Sequence, residues 1–354
     1  MIGQTMIEEA RGNLLAADVD ALVNTVNTVG VMGKGIALQF RRAYPAMFES
    51  YVAACKAGEV EVGRMHVWPT GSMSGPRYVI NFPTKRHWRA PSRLEFVDAG
   101  LVDLVRVIRE REISSIAIPP LGAGSGGLDW RLVKPRIVAA LDEVADVRVL
   151  LYEPNGAPAA ADMARPAERK PLTPQRAALV GLLARYLTTA VGASLIEVQK
   201  LMYFLQEAGE PLRLQYQRHH YGPYADNLRH VLRELEGSYL TGYGDASAKV
   251  IDAEPITLLP GAAEEAEAVL AEHPDTQARM ARVLELVDGF DSMYGTELLA
   301  TVHWVATHES PAPADLADVR RRVQKWSRRK RELFTDGHIE IAWDQLRDER
   351  WVAA

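Results

Sequence analysis

Short apolar runs recur through the first 153 residues, at 21–27 (ALVNTVN), 63–69 (GRMHVWP), 77–82 (RYVINF), 115–119 (SIAIP) and 147–152 (VRVLLY). They are rich in β-branched side chains and bounded by Gly, Pro or Asp, a pattern that predicts buried strands. Between them, 35–44, 93–111 and 130–144 show helical periodicity. Strands alternating with helices predict an α/β domain whose largely parallel or mixed sheet is sandwiched by helices.

The pattern changes after residue 153. The segment 154–174 holds five prolines and no apolar period, and predicts a semi-extended linker. Beyond it the sequence turns mainly helical. Thr173 is placed to cap a helix whose first residue is Pro174. Ser194 and Glu197 have capping-box spacing before a run in which Leu195, Val198, Leu201, Met202 and Leu205 share one face. Further helices are expected over 226–235, 262–273, 275–287 and 314–333. The segments 212–221 and 255–259 are more strand-like, enough for a small hairpin. The organisation read from the sequence is two domains, 1–155 and 173–354, joined by 156–172, with no internal repeat.

Composition mainly excludes. With 47% hydrophobic and 25% charged residues the chain is globular, and no apolar run approaches the ~18 residues of a membrane span. The N-terminus lacks the basic-then-apolar layout of a secretory signal, so a cytoplasmic location and no membrane partner are expected. The single cysteine, Cys55, permits neither an internal disulfide nor a cysteine-based zinc site, and no metal is expected. The net charge of -5 divides into +1 over 1–155, -10 over 156–319 and +4 over 320–354. The acidic block is either a solvated surface or one that competes with nucleic acid for a basic partner. The basic run 320–331 (RRRVQKWSRRKR) reads as a solvated helix face.

Two glycine-containing loops leave strands and open helices. The first runs from Asn24 to Ala37 with Gly30, Gly33 and Gly35; the second runs from Pro119 to Trp130 with Gly122, Gly124, Gly126 and Gly127. Glycines let the backbone approach an anion, and helix N-termini present unpaired N–H groups and a favourable dipole. Two such loops at one sheet edge suit a diphosphate gripped from both sides.

These runs resemble the macrodomain family. "VNTVN…GKGIA" is similar to that family's ribose-binding strand end and first loop, and "IAIPPLGAGSGG" to its phosphate strand and loop. The resemblance implies a three-layer α/β/α macrodomain over 1–155 that binds ADP-ribose as product or ligand, with no cofactor. The implied contacts are Asn13, Leu14, Asn27, Gly33, Lys34, Gly35, Ile36, Gly122, Ala123, Gly124, Ser125, Gly126, Gly127 and Leu128. Asn13 stands where the family usually carries an aspartate that accepts from the adenine amino group; an amide oxygen accepts too, without charge assistance.

The strand-end run from Asn81 to Arg89 (NFPTKRHWR) is similar to the terminal ADP-ribose glycohydrolase branch, and closest to its DNA-directed antitoxins. That resemblance implies that Lys85 is a catalytic nucleophile, with its amine activated by desolvation or by the nearby cations Arg86 and Arg89. The branch also carries a second-loop aspartate; Gly126 aligns with it here, and Asp129 is expected to be a helix N-cap. Trp88 is either a core or hinge aromatic or a stacking platform for an exposed base, with Arg86 and Arg89 on phosphates.

In the second domain, the run from Gln199 to Phe204 (QKLMYF) followed by Tyr221-Gly222-Pro223-Tyr224 resembles the Panacea antitoxin domain. The combination implies an antitoxin that removes ADP-ribose from bases of single-stranded DNA. It also implies that residues 173–354 bind the cognate DarT-type DNA ADP-ribosyltransferase toxin. Two other readings stay open: a non-catalytic ADP-ribose reader, and a hydrolase of protein-linked ADP-ribose. A reader needs the loops but not Lys85.

Overall fold

Alternate residues of one strand, Ala21 and Val23 against Leu22 and Val26, are buried in two different apolar clusters. A strand buried on both faces needs helices on both sides, and the chain supplies them. The computed structural model describes residues 6–352 apart from 73, 74, 145, 155, 167, 168 and 189–191. It divides into two compact units, Met1–Ala167 with Asp245–Ala248, and Glu168–Gly244 with Lys249–Ala354.

The first unit is built on a six-stranded sheet of β1 (Met6–Ala10), β2 (Ala21–Asn27), β3 (His66–Pro69), β4 (Tyr78–Lys85), β5 (Ser115–Ile118) and β6 (Arg148–Tyr152), in the order β1-β6-β5-β2-β4-β3. All neighbours run parallel except β3 and β4, so the sheet is mixed. Helices α1 (Gly35–Ala43) and α2 (Pro45–Lys56) cover one face, with Phe40, Met47 and Tyr51 in its core. Helices α3 (Leu94–Glu110) and α4 (Trp130–Leu141) cover the other through Leu101, Leu104, Val133 and Ile137. This is the three-layer α/β/α domain expected.

Three features differ from expectation. Strand β1, Met-Ile-Glu-Glu-Ala, is an edge strand whose Glu8 and Glu9 pair with Arg148 and Lys134, so it has no apolar alternation to read. Helix α2, where no helix was expected, follows α1 after the single residue Tyr44, with Pro45 at its first position. Strand β4 continues through Pro83 to Lys85, where a proline would argue for a strand end. The β2–β4 register shifts between Val26 and Asn27, and that irregularity accommodates Pro83.

The second unit is helix-rich. It comprises α5 (Pro174–Tyr186), α6 (Leu195–Glu207), the hairpin β7 (Tyr216–His219) and β8 (Gly222–Ala225), and α7 (Leu228–Leu235). There follow the short pair β9 (Leu240–Thr241) and β10 (Thr257–Leu258), then α8 (Ala262–Leu270), α9 (Pro274–Val287), α10 (Met293–Thr307), α11 (Leu316–Trp326), α12 (Arg328–Leu333) and α13 (Asp336–Asp348). Thr173 caps α5 and the Ser194–Glu197 capping box forms at α6, both as expected. The single-faced reading of α6 does not hold. The helix packs against α5, α9, α10 and β8, and every residue from Leu195 to Leu205 is buried. Helix α10 went unread because it too is buried almost all round and shows no polar face.

The expected helix 314–333 is two helices. Ser327 adopts an extended backbone between them, and its hydroxyl accepts from the Lys330 N–H. The basic run is a solvated face only in part: Arg321, Lys325, Arg328 and Arg331 are exposed, and the rest turn inward. Lys330 is fully buried, with its amine 2.7 Å from Glu297 and 3.0 Å from Thr301 Oγ1. Arg329 joins the same Glu297, Arg321 and Arg322 pair with Asp318, and Arg320 pairs with Glu340. Burial works to raise the Glu297 carboxyl, but Arg329 and Lys330 overcome it and hold it below the usual range.

Candidate active site

Strands β2, β4 and β5 run parallel, so their C-terminal ends lie at one edge of the sheet, where α/β folds bind ligands. Three segments meet there. The first loop follows β2, and Asn27 folds it: Oδ1 accepts from the N–H groups of Val29 (3.0 Å) and Val31 (3.3 Å), while Nδ2 donates to Val31 O (2.6 Å). Tyr51, buried in α2, donates to Asn27 O at 2.5 Å and pins the loop's root. After Gly33, Lys34 occupies the N-cap of α1 with no side-chain cap. Gly35 opens the helix at φ +62°, and its N–H donates to Asp245 O, also of the first unit. Ile36 is half-buried.

The second loop follows β5. Gly122 and Gly127 are left-handed, a backbone that only glycine adopts without strain. Ala123 N–H donates to Pro120 O, Gly127 N–H to Gly124 O and Leu128 N–H to Gly122 O, which closes the loop on itself. Nothing lies within 4 Å of where a Gly124 side chain would stand. Leu128 packs on the core, and Asp129 caps α4 by accepting from Arg131 N–H, the role expected of it.

The third segment is the end of β4. Lys85 is half-buried, and its amine donates to Ser125 O at 3.1 Å, on the second loop. Burial pushes this amine below the ordinary lysine range. The expected help from neighbouring cations is not the cause: the Arg86 guanidinium lies over Phe96 and the Arg89 guanidinium over Trp88. Thr28 of the first loop donates to Arg86 O at 2.8 Å. The segment after Lys85 is therefore tied to the first loop and Lys85 itself to the second. Trp88 is 45% exposed, which rules out a core role; its ring contacts His87 and carries Arg89 at 4.4 Å.

Asn13 sits beside this edge, with its Oδ1 accepting from Leu15 N–H and its Nδ2 donating to Asp162 O. One lone pair of its amide oxygen remains for a ligand. Leu14 is buried in the core beneath. The sequence reading missed Tyr51 and Thr28, whose contacts run 24 and 58 residues along the chain. It also missed a buried polar pair beneath the first loop, where Asn24 Nδ2 donates to Asn81 Oδ1 at 2.8 Å.

The two motif fragments of the second unit meet. The Gln199 amide bonds both the N–H and C=O of Ala225, and Lys200 donates to Pro223 O at 2.5 Å. Their joint spacing thus fastens α6 to the hairpin. Burial pushes Lys200 down to about 7 and Lys330 down to about 8.

Comparison with known proteins agrees with this architecture. The Macro domain family model matches residues 23–137. The chain is 48% identical to a DNA ADP-ribosyl glycohydrolase of Thermus aquaticus, over 98% of this chain and 96% of that protein. It is 31% identical to a DNA ADP-ribosyl transferase-DNA ADP-ribosyl glycohydrolase fusion protein of Thermosipho africanus, over 40% of each chain. Among solved structures, the macrodomain of Mycobacterium tuberculosis DarG is 60% identical, with a TM-score of 0.42, covering 43% of this chain and 99% of that one. Identity sustained over nearly the whole length shows that the chain belongs to the DNA ADP-ribosyl glycohydrolase family, with a macrodomain followed by a helix-rich domain.

Proposed function

We propose that this chain is a two-part antitoxin: its first unit hydrolyses ADP-ribose from bases of single-stranded DNA, and residues 173–354 sequester the transferase that attaches it. The observation that carries the reading is Lys85, half-buried at the end of β4, with its amine 3.1 Å from the second loop. The second loop holds the diphosphate through the backbone N–H groups of Gly124, Ser125 and Gly126, which its internal hydrogen bonds do not use, the first loop closes over it from the other side, and Asn13 takes the adenine amino group. The distal ribose then lies against Lys85.

Burial favours the neutral amine, which is the nucleophilic form. Its lone pair forms a bond to C1″ as the bond to the DNA base breaks. The base keeps that electron pair and takes up the proton lost from nitrogen. The ribose ring opens to an imine on Lys85, water adds at C1″, and the C–N bond breaks to release ADP-ribose and restore the amine. A reader of ADP-ribose has no use for such an amine. The exposed Trp88, with Arg89 on one part of its ring and Arg86 two residues earlier in the same segment, suits an unstacked base and its phosphates better than a protein side chain.

The family context supports the partner, since the Thermosipho africanus relative is by name a fusion of transferase and glycohydrolase. The net charge of -10 over 156–319 suits binding to a nucleic-acid-directed enzyme. The test is incubation with an ADP-ribosylated oligonucleotide and, in parallel, an ADP-ribosylated protein. Release of ADP-ribose from the oligonucleotide alone is expected; release from the protein alone would replace this reading with the protein-directed one.

A further inference from the structure

Ser92 lies just before α3 and is 5% exposed, yet its hydroxyl has no hydrogen-bond partner among the described residues. Buried hydroxyls are nearly always bonded, so an exception calls for a reason. Ser92 and Glu95 have capping-box spacing, but α3 begins at Leu94 with Arg93 in the N-cap and no side-chain cap, while Glu95 pairs with Arg93. The hydroxyl is turned to the second loop instead. Ser92 N–H donates to Gly126 O at 3.0 Å. A β-carbon at Gly126 would stand closer than 3.0 Å to Ser92 Oγ, and one at Gly122 would stand 3.3 Å from it. The preceding loop residue, Ser125, gives its carbonyl to the Lys85 amine. The hydroxyl and the amine thus address successive residues of one loop.

We propose that Ser92 is a ligand-contact residue whose hydroxyl hydrogen-bonds a hydroxyl of the distal ribose; this rests on the placement of that ribose beside Lys85. The contact requires the Gly126 peptide to move off the serine as ligand enters, a change that the wide backbone range of the glycines at 122, 124, 126 and 127 permits. The diphosphate is served by backbone N–H groups, which donate only. A ribose hydroxyl both donates and accepts, matching a serine.

The test titrates ADP-ribose and ADP into the full-length protein and its Ser92→Ala variant by calorimetry, with thermal unfolding of both free proteins. ADP lacks the distal ribose, so a serine that contacts it should matter for one ligand only. Loss of one hydrogen bond should weaken ADP-ribose about tenfold, leave ADP unchanged and not lower the unfolding midpoint. Unchanged ADP-ribose affinity would overturn the proposal. Equal losses for both ligands with a lowered midpoint would also overturn it, making Ser92 a loop support. If Lys85 forms no covalent adduct while Ser92→Ala still weakens ADP-ribose alone, the catalytic reading falls and the ribose contact stands.

Discussion

Gly126→Ala adds a single carbon to the second loop, at a position where the backbone conformation itself tolerates alanine. The obstacle is steric. The new carbon would lie closer than 3.0 Å to Gly122 O and to the side chain of Ser92. The serine can rotate, but Gly122 O is backbone and accepts the Leu128 N–H that closes the loop, so the loop itself must move. Overpacking of this kind costs about 1–3 kcal/mol. That cost is divided between the free protein's stability and ligand binding; taken wholly in binding it would lower ADP-ribose affinity between about fivefold and 150-fold, at 1.4 kcal/mol per tenfold. Gly124→Glu provides the contrast. Nothing lies within 4 Å of its side-chain position, so the free protein should be as stable as wild type, while the added charge repels the diphosphate. Calorimetry with ADP-ribose and thermal unfolding should therefore separate the two: Gly126→Ala loses both affinity and stability, Gly124→Glu affinity alone. Wild-type affinity and midpoint in Gly126→Ala would refute the close packing of this loop.

Further predictions concern pH and the second domain. In the proposed mechanism the nucleophile is the neutral amine, so the single-turnover rate should climb with pH and level off at a value below the ordinary lysine 10.5, since burial lowers Lys85; a rate that falls from pH 6 to 9 would contradict this. Lys200 and Lys330 are depressed to about 7 and about 8 in the folded chain, so between pH 7 and 9 the unfolded chain binds more protons and stability should rise with pH. A falling unfolding midpoint across that window would oppose the burial of these amines. Full-length protein should capture the transferase less well as salt rises or when single-stranded DNA is added, chiefly through slower association. Binding indifferent to both would keep the partner and discard electrostatic complementarity as its basis.

Most strands and helices of the first domain were legible because a sheet buried on both faces needs short apolar, β-branched runs, as in β5 and the first half of β2. What escaped obeys other rules. Strand β1 pairs with β6 at a sheet edge and carries ion-paired glutamates in place of an apolar run, and α2 opens on Pro45 after the single residue Tyr44. The two loops were marked by glycine spacing, and family resemblance singled out Lys85, which the structure places beside the second of them. The ties among them were not legible: Tyr51 to Asn27, Thr28 to Arg86 and Ser92 to Gly126 are long-range contacts with no local signature. The basic run at the C-terminal end misled for a related reason. Charge reads as solvated until the partners of its inward-turned members are seen: Asp318 for Arg322, and Glu297 for Arg329 and Lys330.

Covalent capture of ADP-ribose at Lys85 tests the central claim most directly. Wild type and Lys85→Ala are each mixed with an ADP-ribosylated single-stranded oligonucleotide, with and without a hydride reagent that reduces imines. The account predicts that hydride links one ADP-ribose to the wild type at Lys85 and nothing to the variant. It also predicts that the variant loses about 10³-fold or more in turnover while still binding free ADP-ribose, since the account assigns binding to the loops. Turnover by Lys85→Ala at the wild-type rate, or no trapped adduct in an actively hydrolysing wild type, would contradict it.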